Sequence, residues 1–150
     1  MSVSKAVSGA GTQFFIGTPV TTPVYSPVAE LKTFSVSGSK NDTEDITNAD
    51  STGRAKEYLI TLLEAGTMAI AGNYIASDVG QGMFRGAFAS GVTTPFKMIL
   101  PLQNGQTTTG ETWTFLGIVE ENDINISYST ALSFSAKIKI TGIITVVAGT

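Results

Sequence analysis

From Leu132 to Ile140 the chain reads LSFSAKIKI, with Leu132, Phe134, Ala136, Ile138 and Ile140 alternating strictly with Ser133, Ser135, Lys137 and Lys139. Successive side chains of an extended strand point to opposite faces, so this segment puts all its apolar groups on one side. One face therefore belongs to a core. The other is small, polar and lightly basic, suited to water, a partner subunit or an internal channel. The surrounding segments TWTFLGIVEE (112–121), INISY (124–128) and the continuation through IITVV (143–147) have the same strand character, so the C-terminal third is expected to be β throughout.

The segment 31–38, LKTFSVSG, sets Phe34 and Val36 against Thr33, Ser35 and Ser37 as a half-buried strand does. The segment 67–75, TMAIAGNYI, gives a further strand with Met68, Ile70 and Tyr74 inward. The segment 94–102, TPFKMILPL, is a strand whose Pro101 cannot donate to a ladder and marks an edge or a strand end, and Asn104-Gly105 supplies the turn that follows. Val79, Met83, Phe84, Ala87 and Phe88 have helical spacing, although Gly80, Gly82 and Gly86 each weaken a helix by up to ~1 kcal/mol. A second helix is predicted between 55 and 65: Ala55, Tyr58, Leu59, Leu62 and Leu63 fall on one helical face, Asp50, Ser51 or Thr52 is the cap, and Gly66 the stop.

Two segments lie outside this pattern. Residues 1–29 carry Pro19, Pro23 and Pro27 among Gly, Ser, Thr and Val, which excludes a helix and reads as an extended arm. Phe14, Phe15, Ile16, Val20, Val24 and Tyr25 are costly to leave in water, so the arm is expected to dock on its own domain or on a neighbour. Residues 39–52 form a polar bridge too long to be a simple connection. From Lys40 to Asp50 it holds four acids (Asp42, Glu44, Asp45, Asp50) against one lysine, a net of −3 that equals the net charge of the whole chain. The remaining charges balance.

At 150 residues the chain suits a single domain able to bury its own core, here assigned to 30–150. Only 14% of its residues are charged against 42% hydrophobic, and a charge-poor exterior points to a surface covered by partners. There is neither cysteine nor histidine, which removes thiolate chemistry, the usual hydrolase triads and the usual zinc sites, and we expect no enzymatic activity. Glu120, Glu121 and Asp123 lack a helper group for acid–base work, and Asp42, Glu44, Asp45 and Asp50 lack the order of an EF-hand calcium loop, so no cofactor or metal is expected. GQGMFRGA lacks the Gly-Lys-Ser/Thr ending of a phosphate loop. Nine scattered Lys and Arg make no patch for tight nucleic-acid binding. No signal-peptide core or membrane span is read, and a soluble chain made in the cytoplasm is expected.

The ordered series FSVSGSKNDTEDITNADSTGRAKEYLITLLEAGTMAIAGNY, DVGQGMF, FKMILPLQNGQTTTGETWTFLGIVEE and LSFSAKIKITGIIT resembles the major tail tube proteins of long-tailed bacteriophages with non-contractile tails, over roughly residues 30–147. The resemblance implies a mainly β, α+β fold, a two-sheet β-sandwich or split barrel with one flanking helix, a long stacking loop and an extended arm. It implies hexameric rings stacked into a tube that passes double-stranded DNA without reading its sequence. The partners so implied are further copies of the chain and the tape measure, tail terminator and distal tail proteins, within a virion assembled in the host cytoplasm. Carried onto this sequence, ring stacking falls to Lys40, Asp42, Glu44, Asp45, Ile46 and Asp50, and arm contacts to Phe14, Phe15, Ile16 and Tyr25. The three spaced prolines of the arm depart from the family pattern. A reading of another class is a β-rich decoration or adhesin-like binding module with Trp113 and Tyr25 as ligand platforms.

Overall fold

The computed structural model describes residues 4–150. It has nine strands and one α-helix: β1 (Gln13–Gly17), β2 (Tyr25–Pro27), β3 (Leu31–Ser37), β4 (Lys40–Asp45), β5 (Tyr58–Glu64), β6 (Thr67–Asn73), α1 (Val79–Ser90), β7 (Thr94–Ile99), β8 (Thr112–Asn125) and β9 (Ser133–Val147). Seven strands form one antiparallel sheet in the order β2-β1-β7-β8-β9-β6-β3, and β4 and β5 form a separate two-stranded sheet. The architecture is mainly β with one flanking helix and two sheets, and the large sheet does not close into a barrel.

The alternation in β9 behaves as its period dictates. Phe134, Ala136, Ile138 and Ile140 are buried, whereas Leu132 lies just before the strand and stays 42% exposed. On β8, Phe115 and Val119 turn inward while Leu116 and Ile118 turn out. Gly117 between them is required by contact, since a Cβ there would lie 2.5 Å from Ile138 Cγ2. Met68 and Ile70 of β6 complete this side of the core, with Tyr74 packed against it one residue past the strand end.

Five phenylalanines from five elements meet at the centre. Phe84 of α1 is fully buried, with ring centroids of Phe14, Phe96 and Phe134 at 6.1, 5.5 and 5.8 Å. Phe115 stacks on Phe96 at 5.5 Å, all within the range in which aromatic pairs attract. The helix is held to the sheet by polar contacts at its start. Asp78 caps it by accepting from Gln81 N at 3.0 Å and also accepts from Ala29 N at 3.2 Å. The buried Gln81 amide donates to Ala29 O and Asn73 O and accepts from Ile75 N, so its whole side chain is satisfied. Gly80 lets the helix backbone approach β2 closely, because a Cβ there would sit 2.4 Å from Pro27 O.

Several expectations are corrected here. The helix predicted between 55 and 65 does not form: 58–64 is strand β5, and the segment before it makes only a single 3-10 turn, Thr52–Arg54, with no side-chain cap. The helical face Ala55, Tyr58, Leu59, Leu62, Leu63 is not core but exposed. Consecutive apolar residues satisfy a helix or a strand equally, and pairing with 40–45 decides the matter. The bridge 39–52 is accordingly no structureless loop, since its first half is β4. The expected strand 124–128 ends at Asn125. Pro101 lies beyond the end of β7, and β7 is an interior strand between β1 and β8.

The first 29 residues divide. Residues 1–3 lie outside the described residues. Residues 4–11 are exposed and irregular. The rest enters the large sheet, where β1 pairs with β7 and β2 caps the edge. Phe14, Ile16 and Val28 are buried in the common core with residues from the C-terminal half.

Candidate assembly surface

The β4–β5 hairpin continues the β3–β6 ladder. Ser37 pairs with Thr67, and three residues further along each strand Lys40 pairs with Glu64, so the register carries through the junction. At that junction Gly38 and Gly66 have φ of 79° and 99°, a conformation that side-chain-bearing residues avoid. A Cβ on Gly66 would lie 2.2 Å from Ser37 O, so the two backbones cross where the hairpin leaves the sheet.

The base is tied by polar groups. Ser39 Oγ donates to Ala65 O at 2.6 Å. The Glu64 carboxylate accepts from Lys139 Nζ of β9 and lies 3.6 Å from Lys40 Nζ. The hydrogen bond from Lys139, reinforced by the charges of Lys139 and Lys40, holds the Glu64 carboxyl below its ordinary value. The same bond pushes Lys139 up. At the far end the connection is ordered by its own side chains: Asp45 accepts from Thr47 N and Thr47 Oγ1, Ser51 Oγ donates to Glu57 at 2.6 Å, and Asp50 N donates to Asn48 Oδ1. The two bonds from Thr47 also lower the Asp45 carboxyl.

Along its length the hairpin is chemically split. Lys40, Asp42, Glu44 and Asp45 lie on β4, Ile46 follows at its end, Asp50 sits in the connection, and all six are exposed. Tyr58, Leu59, Ile60, Leu62 and Leu63 on β5 are between 52% and 69% exposed. Apolar residues at the consecutive positions 58–60 and 62–63 coat both faces of a two-stranded ribbon, and among the described residues both faces stay largely exposed. An isolated ribbon of this kind is marginal in water, and contiguous exposed apolar surface marks an interaction site. Sequence reasoning missed this surface because it placed Tyr58, Leu59, Leu62 and Leu63 on the packing face of a helix and left Ile60 unassigned. Their signal was the uninterrupted apolar run beside an acidic strand.

The expected arm residues separate by side. Phe14 and Ile16 are 2% and 0% exposed and face the core. Phe15 and Tyr25 lie on the opposite face, flanking Lys97, whose Nζ stands 4.8 Å and 4.7 Å from their ring centroids. Residues 8–12 run along an apolar groove lined by Phe34, Met68, Met98 and Trp113. Trp113 packs against the core and donates its ring N–H to Glu111 at 2.5 Å, and Tyr25 lies against Lys97, so the two do not form one aromatic platform.

Across β3, β6 and the start of β9 the solvent side of the large sheet is small and polar. Thr33, Ser35, Ala69, Ala71 and Ser135 line a shallow depression beside Lys137, which pairs with Glu121 at 3.5 Å. Among the described residues no three His, Cys, Asp or Glu side chains are placed to hold a metal ion. Among the described residues no helix is long and apolar enough to cross a membrane.

No family model matches the sequence, and no curated protein matches it. Solved structures do match the fold. A chain of the gene transfer agent tail refined with C6 symmetry superposes with a TM-score of 0.73 at 18% identity, covering 95% of this chain and 100% of the other. A chain of the SPP1 tail tube gives 0.68 at 11% identity, covering 94% of this chain and 78% of the other. A chain of the anti-feeding prophage baseplate gives 0.68 at 13% identity, covering 99% and 98%. These superpositions give this chain the fold of chains from the gene transfer agent tail and the SPP1 tail tube.

Proposed function

We propose that the protein is a structural subunit that assembles with copies of itself into stacked rings forming a tail tube. The observation that carries this reading is the β4–β5 hairpin, a ribbon with apolar groups on both faces that stay largely exposed among the described residues, on a fold whose neighbours build tails. A monomer that exposes five large apolar side chains on a projecting ribbon loses stabilisation that a neighbour restores, at roughly 25 cal/mol per Å² of apolar surface covered. The charge of β4 suits the rim of such a contact, where Asp42, Glu44 and Asp45 meet backbone donors or basic groups of a neighbouring ring, and Ile46 adds a small apolar anchor.

On this reading the ring is hexameric, and the tube belongs to a virion made in the host cytoplasm. Its partners are further copies and the tape measure, terminator and distal tail proteins. Double-stranded DNA passes through without base-specific contact. The protein is not an enzyme. The exposed residues 4–11, with Phe15 and Tyr25, are the parts of the arm left for contacts between subunits.

Negative-stain microscopy and light scattering of the purified chain test the reading. Rings or tubes are expected. A particle that stays monomeric at every accessible concentration overturns it in favour of a decoration or adhesin-like binding module.

A further inference from the structure

β9 is longer than its neighbour on one flank. Its first half, Ser133 to Lys139, pairs with β6, and the last link on that side is Ile140 N donating to Gly66 O at 3.0 Å. From Thr141 to Val147 it pairs only with β8, from Leu116↔Thr141 to Thr112↔Val147. The other edge of these seven residues is free among the described residues. Because β5 continues β6 and β4 continues β3, the unpaired edge of β5 lies on the same flank, and no ladder links β5 to β9. Two open edges of seven residues each, Tyr58–Glu64 and Thr141–Val147, therefore leave one junction without pairing.

Natural edge strands are blunted by charge, proline or bulges, and each of these edges carries a register shift, between Ile60 and Leu63 in β5 and between Thr141 and Thr145 in β9. No charged residue or proline occurs from Tyr58 to Leu63 or from Thr141 to Val147. Ile143, Val146 and Val147 are 65%, 51% and 57% exposed. The two edges match in length and apolar character, and their one charge is Glu64 at the base of β5. Only another strand satisfies both the free backbone groups and the alternating side chains. The turn at Gly38 and Gly66 carries β5 off β9 in its own chain, which leaves each edge to a different molecule.

We propose that the free edge of β9, Thr141–Val147, receives β5 of a second copy of this chain by β-strand addition. This rests on the assembly reading above and specifies its contact. Each copy offers a donor edge and an acceptor edge at this junction, and with the two taken by different neighbours the contact is head-to-tail and propagates into a closed ring or an open filament according to the rotation it imposes.

The absence of cysteine allows a clean test. Protein carrying Ile143→Cys is mixed before assembly with protein carrying Leu59→Cys, Ile60→Cys or Leu62→Cys, then oxidised and run on a non-reducing gel. A disulfide forms only when the Cα atoms come within about 4.4–6.8 Å, so it reports pairing directly. Cross-linked dimers are expected from the Ile143→Cys mixture with at least one β5 position, at least about fivefold above either variant alone. Ile126→Cys, one residue beyond the far end of β8, is expected to give no such product. Rings or tubes that assemble without cross-links between β5 and Ile143 overturn the pairing while leaving the assembly reading intact. Cross-links as strong from Ile126 also overturn it. Failure of every mixture to assemble overturns both readings together.

Discussion

Leu62→Ser separates the roles of the β4–β5 hairpin in folding and in assembly. Leu62 is 69% exposed and has no place in the core, so its loss changes subunit stability by less than about 0.5 kcal/mol, the usual effect of a surface substitution. Burying a whole leucine is worth ~1.5–3 kcal/mol, and covering the 69% that remains open recovers ~1–2 kcal/mol of that in a subunit contact. At 1.4 kcal/mol per factor of ten, the critical concentration for assembly should rise by about 5- to 30-fold. Sedimentation of assembled material across a concentration series gives that number, and urea unfolding of the dispersed subunit gives the other. A critical concentration within twofold of the parent refutes the argument, because Leu62 would then stay in water in the assembly. A loss of subunit stability above about 1 kcal/mol refutes it from the other side.

Phe84→Ala removes the ring at the centre of the aromatic cluster and should cost ~3–5 kcal/mol in urea unfolding, as large-to-small core changes do. Gly80→Ala should destabilise, because its new methyl would meet Pro27 O at 2.4 Å, whereas Gly82→Ala, with nothing within 4 Å, should gain roughly 0.5–1 kcal/mol of helix propensity; thermal melts of the pair check the contrast. Glu64 has a folded value lowered below 4.5, so its contribution at the hairpin base is present above that pH and fades as pH falls through the lowered value. Lys139 has a folded value raised above 10.5, so its share is present below that pH and fades as pH rises through the raised value. NMR titration of the Glu64 carboxyl should give a midpoint below 4.5 that returns towards it in Lys139→Met.

How much of this was legible in the sequence depends on where each residue's partners lie. The alternation of β9 could be read directly, because a strand with one buried face has a period no helix shares, and Phe134, Ala136, Ile138 and Ile140 are inward as that period requires. The strands at 31–37, 67–73 and 94–99 and the helix at 79–90 were legible for similar local reasons. The glycines of that helix could be counted but not explained: Gly80 is dictated by a backbone of β2 some fifty residues earlier, and nothing in the structure accounts for Gly82 or Gly86.

The assembly surface is where local pattern and tertiary outcome part. The acidic bridge stood out by its charge, and it does form half of the projecting hairpin. Its apolar other half was misplaced, because the spacing of Tyr58, Leu59, Leu62 and Leu63 suits a helix face as well as a strand. The choice is made by hydrogen bonding to residues 40–45, a contact closed through the 46–57 connection that no window along the chain contains. In the same way, composition determined that this chain has no thiol or imidazole chemistry and a surface short of charge. Only the tertiary structure decided where the uncovered apolar groups stand, because burial is set by what the sheet folds against, and among the described residues no strand pairs the outer edge of β5 or of the end of β9.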